Sequence, residues 1–303
     1  MEVNSSKVEH IPVLARTLVE HVNLPRDGVM VDATIGHGGH SLLFGRTLGP
    51  NGVIFALDVD KKSIQGAQIK TKNLACKVIY ICGNFSKIGE FVREKGVEKV
   101  DFILADLGLC SSQLTDADIG LSFQTDMPLD MRIDKRIKTS AADIVNKADQ
   151  KSLADLIYKF GQERASRRIA RFIVSRRKNR PIETTGQLAA IVCRALGSTD
   201  RKRKTRIHPA TRTFQALRIA VNNELENLQR LLDSASVILA KKGRIAVISY
   251  HSLEDRLVKN NFKENEKAGI YKIITKKPIV PSREEIAKNQ RARSAKLRIA
   301  ERK

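Results

Sequence analysis

The 303-residue sequence has no tryptophan and only 4 cysteines, and its acidic side chains are scarce, with 33 Asp and Glu against 55 Lys and Arg. Each shortage excludes something. With 10 Phe, 4 Tyr and no Trp, the chain is not an aromatic-rich platform that stacks successive single-stranded bases. Cys76, Cys82, Cys110 and Cys193 form no Cys-x-x-Cys pair, which argues against a disulfide framework and a structural zinc site and for a reducing, cytoplasmic compartment. No apolar run approaches the length of a membrane span, so no membrane partner is expected. Met1 to His10 is polar and mixed in charge, unlike a signal peptide.

The shortage of acid leaves a formal charge of +22, far beyond what solubility needs, and this points to a polyanionic partner. The excess is local. Gly161 to Arg212 holds 15 Lys and Arg against 3 Asp and Glu, a net +12 in 52 residues. Within it Arg164, Arg167, Arg168 and Arg171 fall at i, i+3, i+4 and i+7, which predicts four guanidinia on one helix face. Arg176, Arg177, Lys178 and Arg180 extend the stripe, and Arg201, Lys202, Arg203, Lys204, Arg206 and Arg212 add a basic loop. Solvated faces usually mix signs and this one does not, so Arg164, Arg167, Arg168 and Arg171 with Arg201, Lys202, Arg203, Lys204, Arg206 and Arg212 are the candidate RNA contacts. No helix-turn-helix, zinc-finger or RNP pattern accompanies them.

Val29 to His40 organises the rest. Val29 to Thr34 is apolar and β-branched, as a buried strand is, and Gly36, Gly38 and Gly39 then fall within four positions before a helix-compatible run, Ser41 to Leu48. Strand, glycine turn and helix open a mononucleotide-binding unit, because backbone without Cβ atoms lets a ligand lie against N–H groups. A second apolar run, Val53 to Leu57, ends in Asp58, 22 positions after Gly36, near the spacing at which an acid meets ribose hydroxyls. A dinucleotide fold prefers a third glycine where Ser41 stands, whereas an S-adenosylmethionine site seats no phosphate there and tolerates the serine. His37 and His40 lack a third ligand at metal spacing, so no metal is expected.

Further strands are expected at Val78 to Cys82, Val100 to Ala105, Arg244 to Ser249, Tyr271 to Thr275 and Ala295 to Ala300. Helices are expected at Val13 to Val22, Lys61 to Thr71, Ile88 to Lys95 and, as one long element, Thr213 to Leu239. Ser111 to Arg212 is helical with no convincing strand. The pattern predicts an α/β fold, a doubly wound parallel sheet, with an all-helical domain inserted after the fourth strand. The expected divisions are 1–110 and 213–303 for the sheet domain and 111–212 for the insertion.

Ligands of an open parallel sheet bind beyond the C-terminal strand ends. That rule selects Gly36, His37, Gly38, Gly39 and His40, then Asp58, then Asn84 and Phe85, then Asp106 with Ser111, Ser112 and Gln113, and finally Tyr250, His251, Ser252, Glu254 and Asp255. Some have plainer readings. Asp58 can cap the next helix, Phe85 can be core, and Ser252 with Asp255 can form a capping pair. Asp126 to Arg132 is acidic and apolar, and such a run either lines a pocket or anchors a loop.

With these residues in hand, the sequence closely resembles the bacterial 16S ribosomal RNA cytosine-N4 methyltransferase family (RsmH, formerly MraW). The resemblance runs from His10-Ile-Pro-Val-Leu14 to Ser294-Ala-Lys-Leu-Arg-Ile-Ala-Glu-Arg302. Its specific pieces are Asp32-Ala-Thr-Ile-Gly-His-Gly-Gly-His40, Asp106-Leu-Gly, Pro128-Leu-Asp-Met-Arg132, His208-Pro-Ala-Thr-Arg-Thr-Phe-Gln-Ala216 and Ser249-Tyr-His-Ser-Leu-Glu-Asp-Arg256. It implies a class I, Rossmann-like methyltransferase sheet, S-adenosylmethionine as donor, and a decoding-centre cytidine of 16S rRNA in the small ribosomal subunit as acceptor. It carries cofactor contacts onto Gly38, Gly39, His40, Asp58, Phe85, Asp106 and Gln113. Cys110 and Ser112 stand where the family more often has Ser and Pro, and Tyr250 where Phe is usual.

For the chemistry, Asp106 is the favoured acceptor of protons from a cytosine amine, and Asp130, His251 and Asp255 are further candidates for holding the base or taking the proton. The Asp-Pro-Pro-aromatic tetrapeptide of many amino-methyltransferases is absent, because Leu107-Gly108-Leu109 follows Asp106. Two other readings stay open. Methylation at cytosine C5 needs a cysteine nucleophile, for which Cys110 is the candidate by position. A non-catalytic ribosome-assembly factor with a vestigial cofactor site would keep the basic insertion without the chemistry. The chain is expected to act as a monomer or homodimer.

Overall fold

A computed structural model describes residues 12–110, 113–114, 116–197 and 208–303. The chain divides into two compact units, Met1–Gly108 with Asn227–Lys303, and Leu109–Glu226.

The first unit is built on seven strands: β1 (Val29–Asp32), β2 (Val53–Asp58), β3 (Lys77–Cys82), β4 (Val100–Asp106), β5 (Leu239–Ser249), β6 (Tyr271–Ile273) and β7 (Lys296–Arg302). Their order across the sheet is β3-β2-β1-β4-β5-β7-β6. β1 to β5 are parallel, while β7 runs antiparallel to both neighbours. The expected α/β sheet is therefore met. β1 to β4 carry apolar side chains on both pleat faces, as strands covered from both sides must. Met30, Ile54 and Phe102 face one core, and Val31, Phe55 and Ile103 the other.

The helices of this unit are α1 (Ala15–His21), α2 (Gly39–Gly45), α3 (Lys61–Thr71) and α4 (Ile88–Glu94), and after the insertion α11 (Ser252–Lys267) and α12 (Arg283–Lys288). Asp60, not Asp58, caps α3, accepting from the Lys62 and Ser63 N–H groups. The chain runs outward from β1 through β2 to β3, then returns to the other side of β1 as β4. That reversal leaves a crevice at the carboxyl ends of β1 and β4, where α/β sheets hold their ligands.

The second unit is helical: α5 (Ala141–Lys147), α6 (Gln150–Gly161), α7 (Ser166–Arg177), α8 (Thr185–Ala195) and α9 (Thr211–Asn222). Leu153, Ile157, Ile169, Ile173, Leu188, Val192, Phe214 and Leu217 form one apolar core. Ser140 and Asp143 make a capping box at the start of α5, and Thr184 caps α8. The long helix expected over 213–239 is two: α9 ends at Asn222, and α10 (Glu224–Ile238) begins after Asn223, which is left-handed at φ 50. Asparagine tolerates that conformation better than most side chains. Asn222 is buried, its amide donating to the Met131 carbonyl at 2.8 Å and its Oδ1 accepting from the Ile133 N–H at 2.9 Å. The expected fifth strand begins earlier, at Leu239, and a register shift accommodates Lys242 at φ 64. No helix among the described residues is long and apolar enough to cross a membrane.

Candidate active site

The crevice at the β1–β4 reversal is assembled from four strand ends. At the first, Asp32 is fully buried, its Oδ2 accepting from the Ser41 hydroxyl at 2.6 Å and its Oδ1 from the Thr34 N–H at 3.3 Å. Burial raises its pKa against the lowering effect of those bonds and of His40. Ser41 thus anchors the first turn of α2 to β1, a use for the hydroxyl where a dinucleotide site prefers glycine. Gly38, at φ 77, leads into α2; a Cβ there would stand 3.2 Å from the Ala67 Cα, so both the conformation and the close approach of α3 require glycine.

At the end of β2, Asp58 accepts from the Gly36 N–H through Oδ2 at 3.0 Å and from the Asp60 N–H through Oδ1 at 2.9 Å. One carboxylate therefore ties the glycine turn to the start of α3. Burial pushes its pKa up to about 6, against the lowering effect of those two bonds. Beyond β3, Asn84 accepts from the Ser86 N–H, and Phe85 opens a short 3-10 turn, half-buried against the core. Phe85 thus packs against the core, the plainer of its two readings.

Asp106 closes β4. Its N–H donates to Thr34 Oγ1 at 2.8 Å, and its Oδ1 accepts from the Gly108 N–H at 3.1 Å. The Tyr250 hydroxyl, just past β5, donates to the same carboxylate, and burial followed by the Asp106 charge pushes the phenol's pKa upward, so it remains a donor. A Cβ at Gly108 would lie 2.8 Å from the Tyr250 ring, so glycine lets the phenol cross the backbone there; a proline would not. His40 Nε2 stands 3.5 Å from Asp106 Oδ2. The His40 ring is buried, and neither of its nitrogens has a hydrogen-bond partner among the described residues. Orphaned buried nitrogens are costly, so this ring fits a site that receives a polar ligand group.

The remaining candidates are engaged elsewhere. His251 caps α11, its Nδ1 accepting from the Glu254 N–H at 3.3 Å, and Glu254 Oε2 accepts from the Tyr250 and His251 N–H groups. The N-cap is thus His251, one residue before the serine of the expected Ser252–Asp255 pair. Asp255 instead holds Arg298 at 2.7 Å, with Lys296 at 3.7 Å. In the helical unit, Asp130 grips Arg132 through both oxygens, each at 2.7 Å. Its partial burial acts upward, but Arg132 and Lys135 prevail and hold the carboxyl below its usual range. Leu129 and Met131 on either side are buried, so the Pro128–Arg132 run anchors a loop. Gln113 is also in this unit, buried, its Oε1 accepting from the Cys110 N–H at 3.0 Å. Ser111 and Ser112 lie outside the described residues.

Of the basic residues, Arg164, Arg167, Arg168, Arg171 and Arg212 are exposed, with Arg212 3.8 Å from Glu163. Arg177, at the end of the same stripe, is structural: its guanidinium donates to the Val145 and Ala148 carbonyls at 2.7 and 2.6 Å. Arg201, Lys202, Arg203, Lys204 and Arg206 lie outside the described residues. Sequence reasoning missed Thr34 and the Asp32–Ser41 pair. An acid inside an apolar strand was the available signal, since a buried carboxylate must find a donor.

Comparison with known proteins extends this geometry. The model of the MraW methylase family matches residues 7–303. Ribosomal RNA small subunit methyltransferase H of Clostridioides difficile is 43% identical over 310 residues, spanning 96% of this chain and 98% of that protein. Proteins of the same name from Acidobacterium capsulatum and a Cyanothece species are 46% and 47% identical, the alignments covering 97% of this chain and 98% and 94% of theirs. A match across almost the whole sequence, glycine turn and strand-end acids included, places this chain in the MraW methylase family.

Proposed function

We propose that the chain transfers a methyl group from S-adenosylmethionine to the N4 amine of a decoding-centre cytidine in 16S rRNA of the small ribosomal subunit, in the cytoplasm. The observation that carries this reading is a single constellation at the β1–β4 reversal. The Asp106 carboxylate accepts from the Gly108 N–H and the Tyr250 hydroxyl, its backbone N–H donates to Thr34, and the His40 ring, with no hydrogen-bond partner among the described residues, stands 3.5 Å away. Family membership and the relatives' shared name as small-subunit rRNA methyltransferases support the substrate class.

Gly38, Gly39, His40, Asp58, Phe85, Asp106 and Gln113 are the residues that would hold the cofactor. Bound there, it supplies an electrophilic sulfonium methyl. Asp58 keeps unused lone pairs beside its two backbone bonds, so it can accept from ribose hydroxyls. The two His40 ring nitrogens, without a hydrogen-bond partner among the described residues, are available to a polar group of the cofactor.

A cytosine amine is a weak nucleophile because its lone pair is delocalised into the ring. The chain must therefore align it about 3 Å from the methyl carbon and stabilise the charge that builds on nitrogen as the N–C bond forms and the S–C bond breaks. Asp106 does this by accepting hydrogen bonds from the amine protons, one of which passes from the nitrogen to its carboxylate once the methyl is in place. The Gly108 N–H and the Tyr250 hydroxyl fix the carboxylate before the reaction, so little reorganisation is needed. Asp130, His251 and Asp255 are each tied to a partner of their own, so the amine protons are assigned to Asp106.

Asp106→Asn tests the assignment in single turnover with small subunits. The expected result is a drop of about 10²-fold or more with cofactor affinity changed only a few-fold. Full rate in the variant would contradict the role given to Asp106.

A further inference from the structure

The helical unit contains a cleft that the strand-end chemistry does not use. It lies between α7 and α8 and encloses about 680 Å³, a size common among small-molecule sites. Arg171 and Arg176 line it from α7 and Arg194 from α8, and all three are exposed. Phe172, Ile182 and Ile191 give it apolar walls, and Gln187 adds an amide. No Asp or Glu is among its lining residues. Arg177, next in sequence, is spent on backbone carbonyls, whereas Arg176 has only a 3.4 Å contact to the Arg180 carbonyl. Three guanidinia around an apolar wall, without a neutralising acid, match a ligand with a flat apolar body and a fixed negative charge.

A nucleotide has that chemistry, either free or within RNA. The surroundings favour RNA. The cleft opens on α7, which carries Arg167 and Arg168 in its first turn and follows Arg164 in the preceding turn, in a segment of net +12, and a long polyanion meets all of these where a free nucleotide would not. Sequence-specific recognition of RNA mostly takes unstacked bases splayed from loops and ends.

We propose that the α7–α8 cleft takes one splayed nucleotide of the acceptor RNA, its phosphate on Arg171, Arg176 and Arg194 and its base against Phe172, Ile182 and Ile191. The proposal rests on the reading of the chain as an RNA methyltransferase and adds a second nucleotide-binding point, remote in sequence from Asp106. Cleft occupancy would set which RNA segment is presented, and so would act on affinity ahead of the methyl-transfer step.

Ala190 lines the cleft and is exposed, so Ala190→Trp fills the space at constant charge. Equilibrium binding to small-subunit rRNA is expected to weaken about tenfold or more, the scale of losing one base contact. Arg194→Ala is a second variant at an exposed position, and it should reduce the magnitude of the log–log salt slope by about 1. Wild-type affinity in Ala190→Trp, or an unchanged slope in Arg194→Ala, overturns the cleft while leaving methyl transfer by the wild type intact. Cytidine monophosphate that binds the wild type and not Ala190→Trp, with rRNA binding equal in both, assigns the cleft to a free nucleotide and also overturns it. A wild-type chain that neither binds rRNA nor methylates it fails the underlying reading as well.

Discussion

Asp58 reports its environment through pH. Burial lifts its pKa to about 6 in the folded chain, against roughly 3.9 in an unfolded one. A raised folded-state pKa means that its contribution to stability is full below about pH 3.9 and is lost as pH rises through about 6. The expected outcome is that wild type loses stability relative to Asp58→Asn between about pH 4 and pH 7. Urea denaturation of both proteins across that range measures the difference, and a flat difference would contradict it. Asp58 and Asp106 were legible in the sequence because an acid ending an apolar run is a local pattern. The pairs Asp32–Ser41 and Thr34–Asp106 were not, because they join residues 9 and 72 positions apart whose proximity only the sheet creates.

Elements show the same division between local and distant causes. Apolar runs announced each strand, and β-branched content separated strands from helices. The break at Asn223 was hidden because apolar periodicity continues through it. Phe214, Leu217 and Val221 serve the helical core, while Leu228, Leu231 and Leu232 serve a core of the sheet unit. The adjacent asparagines were the visible cue. The arginine stripe mixes two jobs that spacing alone does not separate. Arg177 closes the carbonyl end of α5, so Arg177→Ala should cost about 1.5–3 kcal/mol in chemical denaturation. Arg167→Ala, exposed on the same helix, should stay within about 0.5 kcal/mol. Equal costs would show that Arg177 is not structural.

At the scale of the molecule, charge and chemistry belong to different units. The sheet unit presents the acids, the glycine turn and the histidine at one crevice, while the helical unit presents exposed arginine and the cleft between α7 and α8. Composition made the polyanionic partner legible, since a net +12 in one segment needs no fold to be read. The acceptor atom was not legible from composition, because N4 and C5 methylation of cytosine differ only in which groups surround the base. Nucleoside mass spectrometry of small-subunit rRNA, after incubation with the purified chain and S-adenosylmethionine, decides it. N4-methylcytidine at a single decoding-centre position is expected. Methyl on C5, or no methylated cytidine at all, would contradict the reading.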